Sequence, residues 1–375
     1  MQSGFVYSES LTKNILREDH ILRPMRLRLV YELLSKYSAF SQENSSLIEP
    51  RIASVNELMS FHSRDYIEAV GAFSQGEDLD RQNRYGFSDS GDNTISPGMY
   101  ESAALAVGAS IVGAEKLLDS SYNHVFNAGG GYHHAGPDFA SGFCIFNDAV
   151  IAIKKFLLAG VKRIAYIDID AHHGDGVQNA FYSSKKVLTI SIHQSGETLF
   201  PGTGSIDEIG EDEGAGFAVN LPLNPNTNDN VYLSAFNALV PPIIDEFKPE
   251  ILVTQLGIDT HFQDPLSQLS LTTQGHNSVV EKLKELAPNK WLALGGGGYD
   301  LSAVARTWAL DYATLSSQKI DNTTPTLFNE AYGINKLLDQ VPEIDGDEEN
   351  LNFIISQTDK LIENAMPYIR ALRNQ

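Results

Sequence analysis

The fold is decided by the stretch Tyr166-Ile167-Asp168-Ile169-Asp170-Ala171-His172-His173-Gly174-Asp175-Gly176, in which a short apolar run enters a dense group of acidic and imidazole side chains. Such a run, bounded by polar residues, is typical of a strand buried on both faces. If the extended conformation continues through the motif, Asp168, Asp170 and His172 share one face. Charged and polar groups at the end of a buried strand are costly without compensation, which a divalent metal would provide.

The chain is long enough to bury a large core, since 42% of its 375 residues are hydrophobic. No internal repeat, low-complexity tract or clear linker divides the chain, and helical spacing is present within residues 351–372. We therefore predict one domain over residues 1–375. A C-terminal helical extension, at about 322–375, is expected to pack on the outside.

The charge and the cysteine content limit the partners. A net charge of −21 and a pI of about 4.8 argue against direct nucleic-acid binding and are compatible with cationic partners such as lysine-rich segments. The single cysteine excludes an intrachain disulfide and favours the cytoplasm. We expect no secretory signal and no membrane span, because no apolar run approaches the roughly 18 to 20 residues that a span needs. The oligomeric state stays open.

Apolar runs of strand length alternate with segments of helical periodicity over most of the chain. The strand candidates lie at residues 4–7, 124–128, 163–170, 187–193, 217–221, 251–259 and 291–294. The helix candidates lie at residues 24–37, 55–73, 100–118, 149–159, 231–247 and 275–286. Residues 74–98 are polar, which indicates a long surface loop. The alternation predicts a parallel α/β sheet covered by helices on both faces.

Polar or glycine-rich segments follow most of the predicted strands. They are Gly129-Gly130-Gly131-Tyr132-His133-His134, the central motif, Ser191-Ile192-His193, Gly257-Ile258-Asp259 and Gly295-Gly296-Gly297-Gly298-Tyr299. Ligands of parallel α/β sheets bind at the carboxyl ends of the strands. Five strands therefore bring His, Asp, Gly-rich or Tyr chemistry to one edge, which predicts a site there.

Asp170, His172 and Asp259 would offer two oxygens and one nitrogen to a metal ion. Catalytic zinc typically has three protein ligands and one open position. Because carboxylates donate more charge than imidazoles, bound water would be less acidified than on a three-histidine site. Such a metal would therefore benefit from a separate general base.

The pair His133-His134 can supply that base. Asp168 and Asp175 are suited to orient the two imidazoles. Tyr299, on a glycine-rich loop, could donate a hydrogen bond to an oxyanion opposite the metal. These residues complete a candidate hydrolytic site.

Other interpretations stay open on the residues alone. The Asp-x-Asp-x-His pattern could be a polar strand end held by backbone hydrogen bonds. A glycine run could bind a phosphate, although neither glycine run has the spacing of a dinucleotide-binding motif or a P-loop. Cys144 could be a nucleophile, but its place between Phe143 and Ile145 favours buried packing. Six further histidines are interpreted as structural or as without a role: His20, His62, His124, His173, His193 and His276.

Five segments are specific as a set, in this order and spacing. They are Gly130-Gly131-Tyr132-His133-His134-Ala135, Ser141-Gly142-Phe143-Cys144-Ile145-Phe146-Asn147-Asp148, the motif from Asp168 to Gly176, Phe200-Pro201-Gly202-Thr203-Gly204, and Gly295 to Tyr299. They resemble the zinc-dependent histone deacetylase family of the arginase/deacetylase superfamily, and the resemblance covers a motif-bearing core at about residues 4–315. The loop from Asp259 to Leu266 is similar to that of the prokaryotic acetoin-utilisation-type deacetylases. The resemblance implies a single-domain arginase/deacetylase fold of the α/β class, with a central, mainly parallel eight-stranded sheet flanked by helices.

The resemblance also implies a role for each matching residue. One zinc ion per chain would be bound by Asp170, His172 and Asp259. His134 would act as general base and then as general acid, with Asp175 as its partner. His133, oriented by Asp168, would give electrostatic support. Tyr299 would polarise the substrate carbonyl.

Substrate and cation contacts are implied in the same way. The substrate contacts are Phe143 and Phe200 as aromatic tunnel walls, Gly142 as an acceptor for the substrate amide, Asp92 at the rim, Leu266, and Gly297, with Arg26 in an internal exit channel. The implied monovalent cation sites, for K⁺ or Na⁺, are formed by Asp168, Asp170, His172, Ser191 and Ile192, and by Phe181, Ser184, Val187 and Phe217.

The implied function is hydrolysis of the acetyl amide of N6-acetyl-lysine in proteins, which releases lysine and acetate. The alternative with the same fold is a deacylase for acetylpolyamines or other short-chain acyl-amines. A binuclear manganese ureohydrolase would need further bridging Asp and His ligands. A binding module with a vestigial site would not be expected to keep the ligands, the histidine pair and Tyr299.

Overall fold

A computed structural model describes residues 1–13, 16–340 and 348–372. The strands are β1 Ser3–Val6, β2 Ser45–Ile48, β3 His124–Asn127, β4 Ile164–Asp168, β5 Val187–Gln194, β6 Ala218–Leu223, β7 Ile251–Gln255 and β8 Trp291–Leu294. They form one eight-stranded sheet in the order β2-β1-β3-β8-β7-β4-β5-β6, and the paired neighbours are parallel. The predicted fold class is thereby confirmed.

Helices cover both faces of the sheet. They are α1 Met25–Lys36, α2 Val55–Leu58, α3 Arg64–Ser74, α4 Met99–Leu118, α5 Asp148–Leu158, α6 Asp175–Phe181, α7 Asp229–Phe247, α8 Thr273–Leu286, α9 Leu301–Leu315, α10 Thr326–Tyr332 and α11 Glu348–Leu372. Ala165 and Ile167 of β4 pack in a core shared with α1, α7, α8, α9 and α11, whereas Ile164 and Tyr166 pack in a core shared with α4, α5 and α6. Strand side chains alternate between faces, so the short apolar run is buried on both sides.

Two predicted strands end earlier than expected. At the end of β4, Asp168 Oδ1 accepts a hydrogen bond from the backbone N–H of Asp170 (3.1 Å), and this local turn ends the strand. At the end of β7, Gln255 Oε1 likewise accepts from the N–H of Gly257 (2.8 Å). The expectation that Asp168, Asp170 and His172 share one face of a continuing strand is therefore wrong. Asp170 and His172 lie on the loop that follows the strand.

Four elements have no counterpart among the predicted ones: β2, α6, α9 and α10. Strand β2 has only four residues and is buried only at its two ends. Helix α6 begins at Asp175, inside the polar motif, and its seven residues are too few to display a helical period. Residues 74–98, predicted as a loop, contain the short 3-10 helix Leu79–Tyr85.

The predicted C-terminal extension contains helix α11. Helix α11 lies against α7 and β6 and buries Ile354, Leu361 and Ile369. Residues 341–347 and 373–375 of the predicted extension lie outside the described residues. Among the residues that are described, no helix is long and apolar enough to cross a membrane.

Candidate active site and metal centre

Four neighbouring strands of the sheet deliver the predicted site residues to one edge. In the order β3-β8-β7-β4, the strands lead into the His133-His134 pair, Tyr299, Asp259 and the Asp170–His172 loop. Because the strands are parallel, their carboxyl ends meet at this edge. Segments that are distant in the sequence thus become neighbours, as the parallel-sheet prediction requires.

Asp170, His172 and Asp259 form a group able to hold a metal ion. One ligand atom from each lies within 4.8 Å of the others, and the three residues are 1%, 9% and 0% exposed. Nδ1 of His172 lies 3.1 Å from Asp170 Oδ1 and 2.9 Å from Asp259 Oδ2. Two carboxylates and an imidazole nitrogen therefore converge on one point, which suits a divalent metal with nitrogen and oxygen ligands.

Backbone and amide donors fix one of these carboxylates. Asp170 Oδ2 accepts from Gln255 Nε2 (2.6 Å) and from the N–H of Gly297 (2.8 Å), while Oδ1 accepts from the N–H of His172 (2.9 Å). Such contacts orient a ligand before the metal arrives. Gly297, predicted as a substrate contact, thus donates a hydrogen bond to Asp170, a candidate metal ligand.

The surrounding glycines leave room for the carboxylates. A Cβ on Gly257 would lie 2.6 Å from Cγ of Asp170, and one on Gly297 would lie 2.7 Å from Cγ of Asp259. Both distances are far below ordinary van der Waals contact. The two strand ends therefore require glycine opposite the two carboxylates, and the residues present fit a single metal ion.

The electrostatics of the group also fit a cation. Burial and the nearby Asp170 raise the pKa of Asp259 to about 6. Burial alone would raise the pKa of Asp170 too, but attraction to His133 and His172 holds it well below its ordinary value. Buried carboxylates this close repel each other, and a bound divalent cation relieves that repulsion.

The histidine pair lies beside the metal group, and each ring is held by its own carboxylate. His133 Nδ1 donates to Asp168 Oδ2 (2.8 Å), and His134 Nδ1 donates to Asp175 Oδ1 (2.7 Å). The two Nε2 atoms lie 3.0 Å apart. Asp168 and Asp175 thus occupy the orienting positions expected from the sequence.

The two rings differ in their affinity for a proton. Burial alone would lower the pKa of His133, but attraction to Asp168 and Asp170 raises it to about 9. Burial, followed by repulsion from His133, lowers the pKa of His134 to about 4. His133 is therefore the ring that holds the additional proton, while His134 is neutral and can act as a base.

A cavity of about 200 Å³ leads from the surface to this group. Its lining includes the predicted Asp92, Gly142, Phe143, Phe200, Leu266 and Tyr299, together with His134, His172 and Leu199. The Phe143 ring lies edge-on to Tyr299 with centroids 5.7 Å apart, and the Phe200 ring lies edge-on to His134 at 5.0 Å. The cavity is therefore a tunnel with aromatic walls that ends at polar groups.

Tyr299 is held by its backbone as well as by packing. Its N–H donates to Asp264 Oδ2 (2.8 Å), and burial raises the pKa of its hydroxyl well above the ordinary value. The phenol is therefore neutral and can donate a hydrogen bond. Its role beside an oxyanion stays a prediction.

A second, smaller cavity of about 20 Å³ shares part of its lining with the first. Arg26, Tyr132 and Gly296 line it, together with residues of the tunnel floor. Arg26 is buried, donates to Gly298 O (3.0 Å) and lies over the Trp308 ring at 5.1 Å. Arg26 therefore lies at the wall of this cavity, and the inner channel itself stays a prediction.

Two residues at the tunnel had no role in the sequence interpretation. His20 lies edge-on to Phe143 with centroids 4.6 Å apart, and its Nε2 donates to Asp92 O (3.1 Å). Leu199 lines the tunnel beside Phe200. The nearness of Leu199 to Phe200 in the sequence could have indicated it, whereas His20 had no such signal because its loop reaches the mouth only through the fold.

The remaining predictions concern Cys144, the structural histidines and the cation sites. Cys144 is buried and its Sγ donates to Gly142 O, so the packing interpretation holds. His193 bonds with Ser191 and Gly204 and is structural. Ser191 pairs with Asp168 across β4 and β5, which places part of the first predicted cation site together.

Comparisons with known proteins agree with this geometry. A model of the histone deacetylase domain matches residues 20–315. The acetoin utilization protein AcuC of Bacillus subtilis is 38% identical over 313 residues, covering 82% of this chain and 80% of that protein. AcuC of Staphylococcus aureus strain MSSA476 is 37% identical over 327 residues, covering 86% of this chain and 83% of its own length.

A solved structure extends the comparison to the fold. The crystal structure of an HDAC homolog complexed with SAHA matches with a TM-score of 0.87 at 30% identity, covering 96% of this chain and 100% of that one. The family match, the relatives and this structure all span most of the chain. The chain therefore belongs to the histone deacetylase family, in its acetoin-utilisation group, and is a deacetylase that hydrolyses amides.

Proposed function

We propose that this chain is a cytoplasmic protein deacetylase that hydrolyses the acetyl amide of N6-acetyl-lysine with one zinc ion per chain. The observation that carries the proposal is the aromatic tunnel, which ends at Asp170, His172, Asp259, His134 and Tyr299. A narrow apolar tunnel suits an unbranched chain that presents a polar group at its end. An acetylated lysine side chain has this shape.

Asp170, His172 and Asp259 would hold the zinc ion. When bound there, zinc supplies Lewis-acid polarisation of the substrate carbonyl and increases the acidity of the attacking water. The two carboxylates and one imidazole resemble catalytic zinc sites in number and leave positions open.

The protein's own groups move the proton and stabilise the developing charge. His134, neutral and oriented by Asp175, accepts a proton from water as the water attacks the acetyl carbonyl. The Tyr299 hydroxyl donates to the oxygen on which negative charge develops. The proton then passes to the leaving amine, so that the C–N bond breaks and lysine and acetate are released. The positive charge on His133 favours the oxyanion as well.

The tunnel walls determine which chains fit. Phe143 and Phe200 would bury the lysine methylenes at about 0.8 kcal/mol each, so four methylenes contribute about 3 kcal/mol. The Gly142 carbonyl and Asp92 at the mouth would accept hydrogen bonds from the substrate amides, and Leu266 would complete the wall. Arg26, beside the inner cavity, would attract the acetate product.

Monovalent cations are a further part of the proposal. Asp168 holds the His133 ring, and its strand neighbour Ser191 offers oxygen atoms at the same level of the sheet. The first site would use Asp168, Asp170, His172, Ser191 and Ile192, and the second would use Phe181, Ser184, Val187 and Phe217. Replacing KCl by tetramethylammonium chloride should lower activity if these sites are occupied by K⁺ or Na⁺.

A turnover panel tests the proposed substrate. Acetyl-lysine peptides, longer acyl-lysine peptides and acetylpolyamines are compared at equal concentration, with zinc content measured in the same preparation. We expect about one zinc per chain and the highest kcat/KM with acetyl-lysine peptides. A higher kcat/KM with acetylpolyamines would replace the protein substrate by a small amine, and two manganese ions per chain would overturn the chemistry.

A further inference from the structure

A segment C-terminal to the family match packs against the loop that carries Asp259. We call residues 333–340, which follow α10, the return segment; the family match ends at residue 315. Its Asp339 side chain is only 8% exposed. Asp339 Oδ1 accepts from Arg306 Nη1 (2.6 Å), and Oδ2 accepts from His261 Nε2 (2.9 Å) and from the N–H of Thr273 (2.8 Å).

The proton on His261 can be placed from its hydrogen bonds. Nδ1 accepts from the N–H of Gln263 (3.2 Å), so the proton is on Nε2, which donates to Asp339. Hydrogen bonds from His261 and attraction to Arg306 outweigh burial and hold the pKa of Asp339 below its ordinary value. The carboxylate therefore accepts charge-assisted bonds from both partners, which are stronger than bonds between neutral groups.

His261 belongs to the loop that carries the third metal ligand. Its own N–H donates to Ile258 O (3.0 Å), and its carbonyl accepts from the N–H of Asp264 (2.8 Å). Asp259 lies two residues before it. The contact with Asp339 therefore fixes the backbone on which Asp259 is mounted.

The same loop also reaches Tyr299. Asp264 Oδ2 accepts from the N–H of Tyr299 (2.8 Å), and Oδ1 accepts from the N–H of Leu266 (2.9 Å). One loop of eight residues, from Asp259 to Leu266, thus supplies a metal ligand, holds the backbone of the oxyanion donor and contributes a tunnel wall.

We infer that Asp339 is a positioning residue for the active site, acting through His261 on the loop that carries Asp259 and Asp264. The inference rests on the metal site proposed above. Asp339 touches neither the metal group nor the tunnel. Its effect is to hold the loop in one position. Groups bonded directly to a metal ligand typically change metal affinity 10- to 100-fold, and we expect Asp339, which acts through His261, to lie at the lower end of that range.

The test compares Asp339→Asn with Tyr332→Phe. The Tyr332 hydroxyl donates to Glu32 Oε2 (2.6 Å) and joins the end of α10, next to the return segment, to α1, so its loss loosens the same region without reaching the loop. Zinc release into a chelator, hydrogen exchange of residues 259–266 in the metal-free protein, and kcat and KM are measured for both variants.

In Asp339→Asn we expect zinc release about tenfold faster, faster exchange of residues 259–266 in the metal-free protein, and a lower kcat with KM within twofold. Tyr332→Phe should leave all three near the wild-type values. Equal changes in the two variants, or zinc release within twofold of wild type in Asp339→Asn, would overturn the inference.

Arg306→Lys is a second variant, which tests the inference even if Asp339→Asn misfolds. Arg306→Lys keeps a positive charge but loses the guanidinium, whose Nη1 donates to both Asp339 Oδ1 and Leu337 O and whose Nη2 donates to Gln263 Oε1. It should accelerate zinc release more than Tyr332→Phe does, and equal rates would contradict the positioning role. Zinc release and exchange do not depend on the substrate, so a failure of the acetyl-lysine proposal alone would leave these outcomes readable.

Discussion

Replacing Gly142 by alanine tests how closely the tunnel is fitted to the general base. Gly142 has a φ of +49°, and a Cβ there would lie 2.9 Å from Cγ of His134 and 2.8 Å from Cε1 of Phe200. Ordinary contacts between such atoms are about 3.5–4.0 Å, so the imidazole or the phenyl ring must move by about 1 Å. A misplacement of about 1 Å at a reacting group costs about 10²-fold in rate, equivalent to about 2.7 kcal/mol.

We therefore expect kcat/KM of Gly142→Ala on an acetyl-lysine peptide to fall about 100-fold while zinc content stays at one per chain. The left-handed φ itself costs about 1–2 kcal/mol in stability. Gly98→Ala is the matched control, because Gly98 has a φ of +79° and a Cβ there would meet no atom within 4 Å. It should show the same loss of unfolding free energy with full activity. If Gly142→Ala keeps its activity within threefold of wild type, His134 does not act from the position described.

Three further predictions concern single side chains. Tyr299→Phe should lower kcat by about 10²- to 10³-fold with zinc content unchanged, as measured by peptide turnover and metal analysis, and normal turnover would remove the hydroxyl from the mechanism. Asp259→Ala should lose both zinc and activity, and zinc retention in metal analysis would show that the third ligand lies elsewhere. Glu57→Gln should lower the free energy of unfolding at pH 7 by about 0.5–1 kcal/mol, because the hydrogen bond from Arg51 lowers the pKa of Glu57 from 4.5 to about 2. The ionised Glu57 side chain therefore stabilises the wild-type fold above pH 4.5, and this contribution is lost as the pH falls towards 2. In urea melts, the difference in unfolding free energy between the variant and the wild type should disappear over this range. A constant difference down to pH 3 would contradict the assignment.

The sheet and the metal group could be predicted because they depend on short-range patterns and one general rule. Apolar runs such as that of β4 are recognisable as buried strands, and Asp170 and His172 lie close together in the sequence. The parallel-sheet rule then brings Asp259 to the same edge, because β7 is the neighbour of β4. Burial on both faces and the shared edge of the metal group follow from these two facts.

Other features depend on contacts that no local pattern encodes. Strand β4 ends where Asp168 Oδ1 accepts a hydrogen bond from the N–H of Asp170. In the sequence, the same residues resemble an ordinary strand with alternating side chains. His20 approaches Phe143 only because a loop folds over the tunnel mouth. Asp339 reaches His261 across 78 residues, so its role can be inferred only from the folded chain.

The glycines opposite the carboxylates have a consequence for how such a protein could lose its activity. Gly257 and Gly297 bear no side chain, and the space that each leaves is filled by a metal-binding carboxylate. A single methyl group at either position would displace a ligand although every ligand residue remained in the sequence. A relative that keeps all of Asp170, His172, Asp259 and the histidine pair could therefore still be an inactive pseudoenzyme, and the glycines must be inspected before activity is assigned from the ligands alone.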